Sequence, residues 1–161
     1  MVCLQLGFPQ SKPGAAAEQS HFSAEDEEVR RAIEVPAPAL DILRRDPRVA
    51  EAIKGQGIDA ANIPKSWFLA SEVHLAGPEE RDVVVVGVGR LAGANVTTFW
   101  VFRPRLHGFE LLLKASEHDL AIRSTRTNGY RDIETLVATA VQSSRTVFRF
   151  DGNRYAQVGR D

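Results

Sequence analysis

Cysteine is almost missing from this 161-residue chain: Cys3 stands alone, which excludes an intrachain disulfide framework and any zinc site built from several thiolates. Long apolar runs are missing as well. None approaches the ~18 to 20 residues that cross a bilayer as a helix, so the chain is expected to be soluble and not membrane-spanning. Nor is there an excess of charge of either sign: 20 Lys+Arg face 21 Asp+Glu, for a net charge of −1. The basic footprint of a nucleic-acid binder is therefore absent from the whole chain, and no nucleic-acid partner is expected. Lysine is scarce, four residues against sixteen arginines, and a compositional bias explains that more simply than bidentate anion recognition. No segment recurs at the 30- to 45-residue spacing of a repeat array.

What is present has the size of one domain, able to bury roughly 70% of its unfolded surface in its own core. The neutral total hides an asymmetry. Residues 1–80 hold 8 basic and 13 acidic side chains, whereas residues 81–161 hold 12 and 8, giving −5 and +4.

Residues 1–22 lack a periodic apolar pattern and read as a flexible tail. The mildly apolar Met1–Phe8 and the small residues Ala15-Ala16-Ala17 also fit the remnant of a secretory signal peptide. A single α+β domain is expected over residues 23–161. It begins with a helical cap, in which Ser23-Ala-Glu-Asp26 has the form of a capping box and Val29 and Ile33 would face inward until Pro36 ends the helix. A second short helix would start near Pro38 and run to Arg45. Asp46-Pro47 would open a third, carrying Val49 and Ile53 and closed by Gly55-Gln-Gly57.

After Ile63-Pro64 the vocabulary turns to β-branched and aromatic residues in short runs: Trp67–Leu75, Asp82–Val88, Thr97–Arg103, Phe109–Lys114, Asp119–Ser124, Thr146–Phe150 and Arg154–Gln157. Val83–Val86 and Phe99–Phe102 are apolar on both faces and predict central strands. The connections Arg105–Gly108, Ala115–His118 and Asp151–Asn153 are too short for crossover helices, so a mainly antiparallel meander is expected. Ile133–Val141 reads equally as helix or strand.

Candidate chemistry is sparse. Gly87, Gly89 and Gly93 follow a β-run and suggest a phosphate-binding turn of a nucleotide-binding enzyme or sensor, but that reading requires a helix over 94–104. The residues there are β-prone and end at Pro104. His74, His118 and Asp119, with Glu72 and Glu117, would make a metal site only if their strands were adjacent. No Ser sits in a nucleophile elbow, and Gln142-Ser-Ser-Arg145 reads as an ordinary loop. Glu79, Glu80 and Asp82 are expected in a turn open to water, where no carboxyl pKa would be tuned. Neither catalytic residues nor a cofactor is expected.

There remain Arg123, Arg126, Arg131, Arg145, Arg149 and Arg154, which would form either a cationic patch toward a partner or ion pairs with the acidic helical cap. The pairing reading is the simpler. Trp67, Phe68, Phe109, Tyr130 and Tyr155 are the aromatics suited to anchor a contact, whereas Trp100 and Phe102 read as core. The binding residues expected are thus Arg126, Tyr130, Arg131, Arg154 and Tyr155.

The segments Asn128-Gly-Tyr-Arg-Asp-Ile133 and Phe150-Asp-Gly-Asn-Arg-Tyr155 resemble the C-terminal part of uncharacterised small, β-rich bacterial proteins, many of them exported. The resemblance spans residues 66–157 and rests on turn chemistry, so it implies fold more than activity. It implies an extracytoplasmic, noncatalytic role, in a periplasmic or secreted rather than cytoplasmic setting, and names no ligand. The function expected for the chain is binding to another macromolecule, a protein first, or a structural part in an envelope complex.

Overall fold

The computed structural model of the chain describes residues 17–160. In chain order its regular elements are β1 (His21–Ser23), β2 (Ala32–Ile33), α1 (Ala37–Arg44), α2 (Pro47–Gln56), β3 (Phe68–Val73), β4 (Asp82–Gly87), β5 (Thr97–Arg105), β6 (Gly108–Glu117), β7 (Asp119–Thr127), β8 (Tyr130–Ala138), β9 (Ser143–Phe150) and β10 (Tyr155–Arg160). All strand pairs are antiparallel.

The strands form two five-stranded sheets rather than one meander, ordered β2-β3-β4-β5-β6 and β1-β7-β8-β9-β10. His118 alone separates β6 from β7, so the chain steps from one sheet to the other almost without a connection. The segment Ala115–Glu117, expected as a loop, completes β6 instead. The α+β class holds, with the helices confined to one side.

Three layers follow from the sequence of β4 and β5. Val84, Val86, Phe99 and Val101 face the second sheet, where they meet Phe22, Leu120, Ile122, Ile133 and Phe150. Val83, Val85, Trp100 and Phe102 face the helices, against Ala39, Leu43, Val49 and Ile53. A strand covered on both sides has no solvated face to hold a polar alternation, which is why these runs are apolar throughout. Burial of each such side chain stabilises by about 1.5–3 kcal/mol.

α2 begins where Asp46 accepts from the Arg48 N–H at 2.8 Å, and ends at Gly57 in the left-handed region, φ 62°. The β7–β8 hairpin turns on Asn128 (φ 50°) and Gly129 (φ 85°), as their sequence predicts. Ile133–Val141, ambiguous in sequence, lies largely within β8. β6 carries a bulge between its pairings to Val101 and Phe102, and β10 one between Gln157 and Gly159. Both are edge strands, and the bulges disrupt the surface on which a further strand would add.

The first expected helix does not form. Ser23 and Asp26 do exchange capping contacts, the Ser23 N–H donating to the Asp26 carboxylate at 2.9 Å and the Glu25 N–H to Ser23 Oγ at 3.3 Å, but they close a turn after β1. The chain is drawn instead along β3, where the buried Ser71 hydroxyl donates to the Arg30 carbonyl at 2.6 Å and β2 pairs with Ala70 and Ser71. Ile33 is exposed there. The tail also ends earlier than expected. Residues 1–16 lie outside the described part, but Phe22 is fully buried in the inter-sheet core, and β1 pairs with Asp119–Ala121 of β7.

Candidate functional site

Where β3 ends, the chain leaves the sheet through His74–Pro78, and the second sheet is irregular at the same level: β7 loses register with β8 between Ile122 and Arg126. Two arginines are fixed there by backbone carbonyls. Arg126 Nη1 donates to the carbonyls of Leu75 (2.9 Å), Ala76 (2.9 Å) and Gly129 (2.8 Å). Arg131 donates to the carbonyls of Arg123 (2.9 Å) and Ile122 (3.3 Å), and its backbone N–H to that of Leu75 (2.9 Å). Carbonyls of the loop after β3 and of the β7–β8 turn thus hold Arg126, and carbonyls of the irregular part of β7 hold Arg131.

A third guanidinium arrives from the turn before β2. Arg31 sits at φ 50°, a left-handed conformation that costs a residue with a Cβ on the order of 1 kcal/mol. Its carbonyl accepts the Glu72 N–H at 3.2 Å, which holds this geometry. The guanidinium approaches His74 Nδ1 to 3.3 Å and the Glu72 carboxylate to 3.8 Å.

Together Arg31, His74, Pro78, Ser124, Arg126 and Arg131 line an open notch of about 620 Å³. One carboxylate reaches into it. Glu18 accepts from Arg131 Nη1 at 2.7 Å, lies 2.8 Å from His74 Nδ1 and 3.9 Å from Arg31 Nη1. Among the described residues no carboxylate pairs with Arg126. The notch therefore gathers three guanidinium groups around the Glu18 carboxylate, with Glu72 beside Arg31 outside its lining, an arrangement whose groups form charge-assisted hydrogen bonds with carboxylates.

Behind the notch, Asp82 is fully buried and accepts the Leu75 N–H at 2.9 Å, while its other oxygen has no hydrogen-bond partner. Burial raises its pKa to about 6. This corrects the expectation of a water-exposed, untuned carboxylate: Asp82 heads a strand buried on both faces, and the turn ends before it.

Of the other residues expected to bind, Tyr155 and Tyr130 make contacts within the fold. Tyr155 is buried, its hydroxyl donating to the Arg131 carbonyl at 2.6 Å, and burial pushes its pKa up. Tyr130 stacks on Phe150 at 4.0 Å, with the Arg103 guanidinium 5.4 Å from the Phe150 centroid. Arg103 donates to Glu110 at 3.0 Å and to the Tyr130 hydroxyl at 3.3 Å, and the bond from Arg103 holds the Glu110 carboxyl below its usual range. Trp67 and Phe68 are core residues and Phe109 packs beside the helices, so none of the three is a free anchor. Arg154 lies apart from the notch, beside a groove between β6 and β10 with Leu111–Lys114.

Nor do the arginines of the second half pair with the helices. Arg123 and Arg145 approach Glu134, and Arg149 approaches Asp132, all within their own sheet. The acid on α2's cap, Asp46, meets Lys114 at 2.8 Å instead.

The glycine turn lacks the helix that phosphate binding needs, because β5 occupies residues 97–105. Gly87 is required for packing: a Cβ there would lie 2.9 Å from Leu91 Cβ and 3.3 Å from a Trp100 ring carbon. The metal constellation does not assemble either. His74 turns to Glu18, His118 Nδ1 lies 3.0 Å from the Asn95 carbonyl, and among the described residues no group of three or more His, Cys, Asp or Glu is placed to hold a metal ion. No helix among these residues is long and apolar enough to cross a membrane.

Of the residues at the notch, the sequence singles out Arg126 and Arg131 as binding candidates and His74 as a metal ligand, but neither Arg31 nor Glu18. Arg30-Arg31 was visible as a basic pair after an acidic run, but its left-handed turn depends on pairing with β3, which local sequence does not encode. Comparison with protein-family models, curated proteins and solved structures finds no match for the chain.

Proposed function

We propose that the chain is a noncatalytic interaction module that binds a protein partner by taking a carboxylate side chain into the notch at Arg31, His74, Arg126 and Arg131. The observation that carries this reading is Arg126: its guanidinium is fixed by three backbone carbonyls and lines the notch with no carboxylate partner among the described residues. A cation already immobilised loses little side-chain entropy on binding, so more of its charge–charge attraction appears as affinity. Glu18 and Glu72, both beside these arginines, repel a continuous polyanion, which favours an acidic protein segment over a nucleic acid. An extracytoplasmic setting for such a module accompanies the resemblance to exported β-rich proteins.

Calorimetric titration of the full chain with a glutamate-rich peptide tests this. Binding is expected at low salt, to weaken as salt is raised, and to vanish when glutamine replaces glutamate in the peptide. Absence of binding to the glutamate peptide at low salt would overturn it.

A further inference from the structure

Glu18 belongs to a short arm that precedes β1, and few contacts keep the arm in place. Besides the Glu18 carboxylate, Gln19 Oε1 accepts the Arg30 N–H at 2.6 Å, Gln19 Nε2 donates to the Asp26 carboxylate at 3.2 Å, and the Ser20 carbonyl accepts the Ile122 N–H at 2.7 Å. Ala17 and Ser20 are exposed, and the first deeply buried side chain among the described residues is Phe22. Cavities flank the arm on both sides: the notch on one, and on the other a space of about 430 Å³ lined by Glu18, Gln19, His21, Asp26, Val29 and Arg30. Lifting residues 17–20 therefore uncovers little apolar surface, while Phe22 keeps β1 anchored.

We infer that residues 17–20 are a tethered occupant of the partner's place, so that the notch binds an acidic, extended peptide whose glutamate displaces Glu18. This rests on the reading of the notch as a carboxylate site. The exchange is one carboxylate for another on the same Arg131, His74 and Arg31 donors, so the charge of the notch is unchanged by it. Because the arm is covalently attached, its effective concentration is in the millimolar range for a short flexible tether, and it suppresses weak external acids while yielding to a partner that adds contacts along the vacated edge of β7. Lifting the arm removes one backbone contact of Arg31's turn, the Arg30 N–H to Gln19, but leaves the Arg30 and Arg31 carbonyls bonded to Ser71 and Glu72 of β3, which keep this donor at the notch.

A fluorescently labelled peptide containing the sequence Glu-Gln-Ser is the probe, with anisotropy measured on the full chain and on its Glu18→Ala and Glu18→Gln variants. Both variants are expected to bind the peptide at least about tenfold more tightly than the unaltered chain, and adding Arg131→Gln to Glu18→Ala is expected to remove that gain. Equal binding by the unaltered chain and both variants would overturn the tethered occupant while leaving the carboxylate site standing. Absence of binding by all three would overturn both.

Discussion

Two buried aspartates show how differently the same side chain is used at the residue scale. Asp46 is pushed up by burial but held below its usual range by hydrogen bonds from Lys114, Trp100 Nε1 and the Arg48 N–H, the last of which also caps α2. Asp46→Ala removes the cap and leaves the buried indole N–H without a partner, so a loss of about 2–4 kcal/mol is expected from the denaturant midpoint at neutral pH. Asp82 behaves in the opposite sense, because burial outweighs its single hydrogen bond and raises its pKa from 3.8 to about 6. Between these two values the native state holds a proton that the unfolded chain has released, so this group makes the protein less stable as pH rises from 4 to 6. Asp82→Asn is expected to remove that slope: the stability difference between variant and parent should change across pH 4–6 and level off above pH 7. A difference independent of pH would show that Asp82 is not the group responsible. The role of Asp82 was not legible locally, since it follows Glu79-Glu80 and reads as part of their exposed turn. Only the pairing of β4 between two strands removes it from water.

At the scale of elements, the glycines after β4 separate two demands that one sequence motif can serve. Gly87 has no room for a Cβ, whereas Gly89 has open space but sits at φ 57°. Gly87→Ala is expected to cost about 1–3 kcal/mol through overpacking against Leu91 and Trp100, and Gly89→Ala about 1 kcal/mol or less through backbone strain. Thermal unfolding of the two variants should rank them in that order. The strands themselves were readable wherever burial leaves a local mark: the two-faced runs of β4 and β5, the Asn128-Gly129 turn, and the Asp46 and Gly57 ends of α2. They were not readable over residues 24–35. There a capping-box pattern is satisfied within a turn, and the choice of strand over helix is made by Ser71 and Ala70, roughly forty residues away in sequence. The helix or strand ambiguity of Ile133–Val141 was resolved in the same way, by pairing to β7 and β9 on either side.

For the whole molecule, the charge asymmetry between halves is resolved inside each layer more than between them. The acids Glu134 and Asp132 meet arginines of their own sheet, and the contacts that cross from the acidic half are Glu18 to Arg131, Asp46 to Lys114 and Glu72 to Arg81. In most of these pairs a more open cation meets a carboxylate that is largely covered, and partly solvated pairs add little beside the two apolar layers that hold the fold. The notch lies where those layers leave irregular backbone, between the end of β3 and the break in β7. The measurement that reaches the proposed recognition most directly is an NMR titration of the Glu18→Ala full chain with the Glu-Gln-Ser peptide, following the Arg126 and Arg131 side-chain Nε–Hε signals and the Gly77 and Ser124 amides. Saturable shifts concentrated on these signals, and absent when the peptide carries glutamine in place of glutamate, are expected; shifts centred on Gly87–Gly93 or on the β6–β10 groove, or none at all, would contradict carboxylate recognition at the notch.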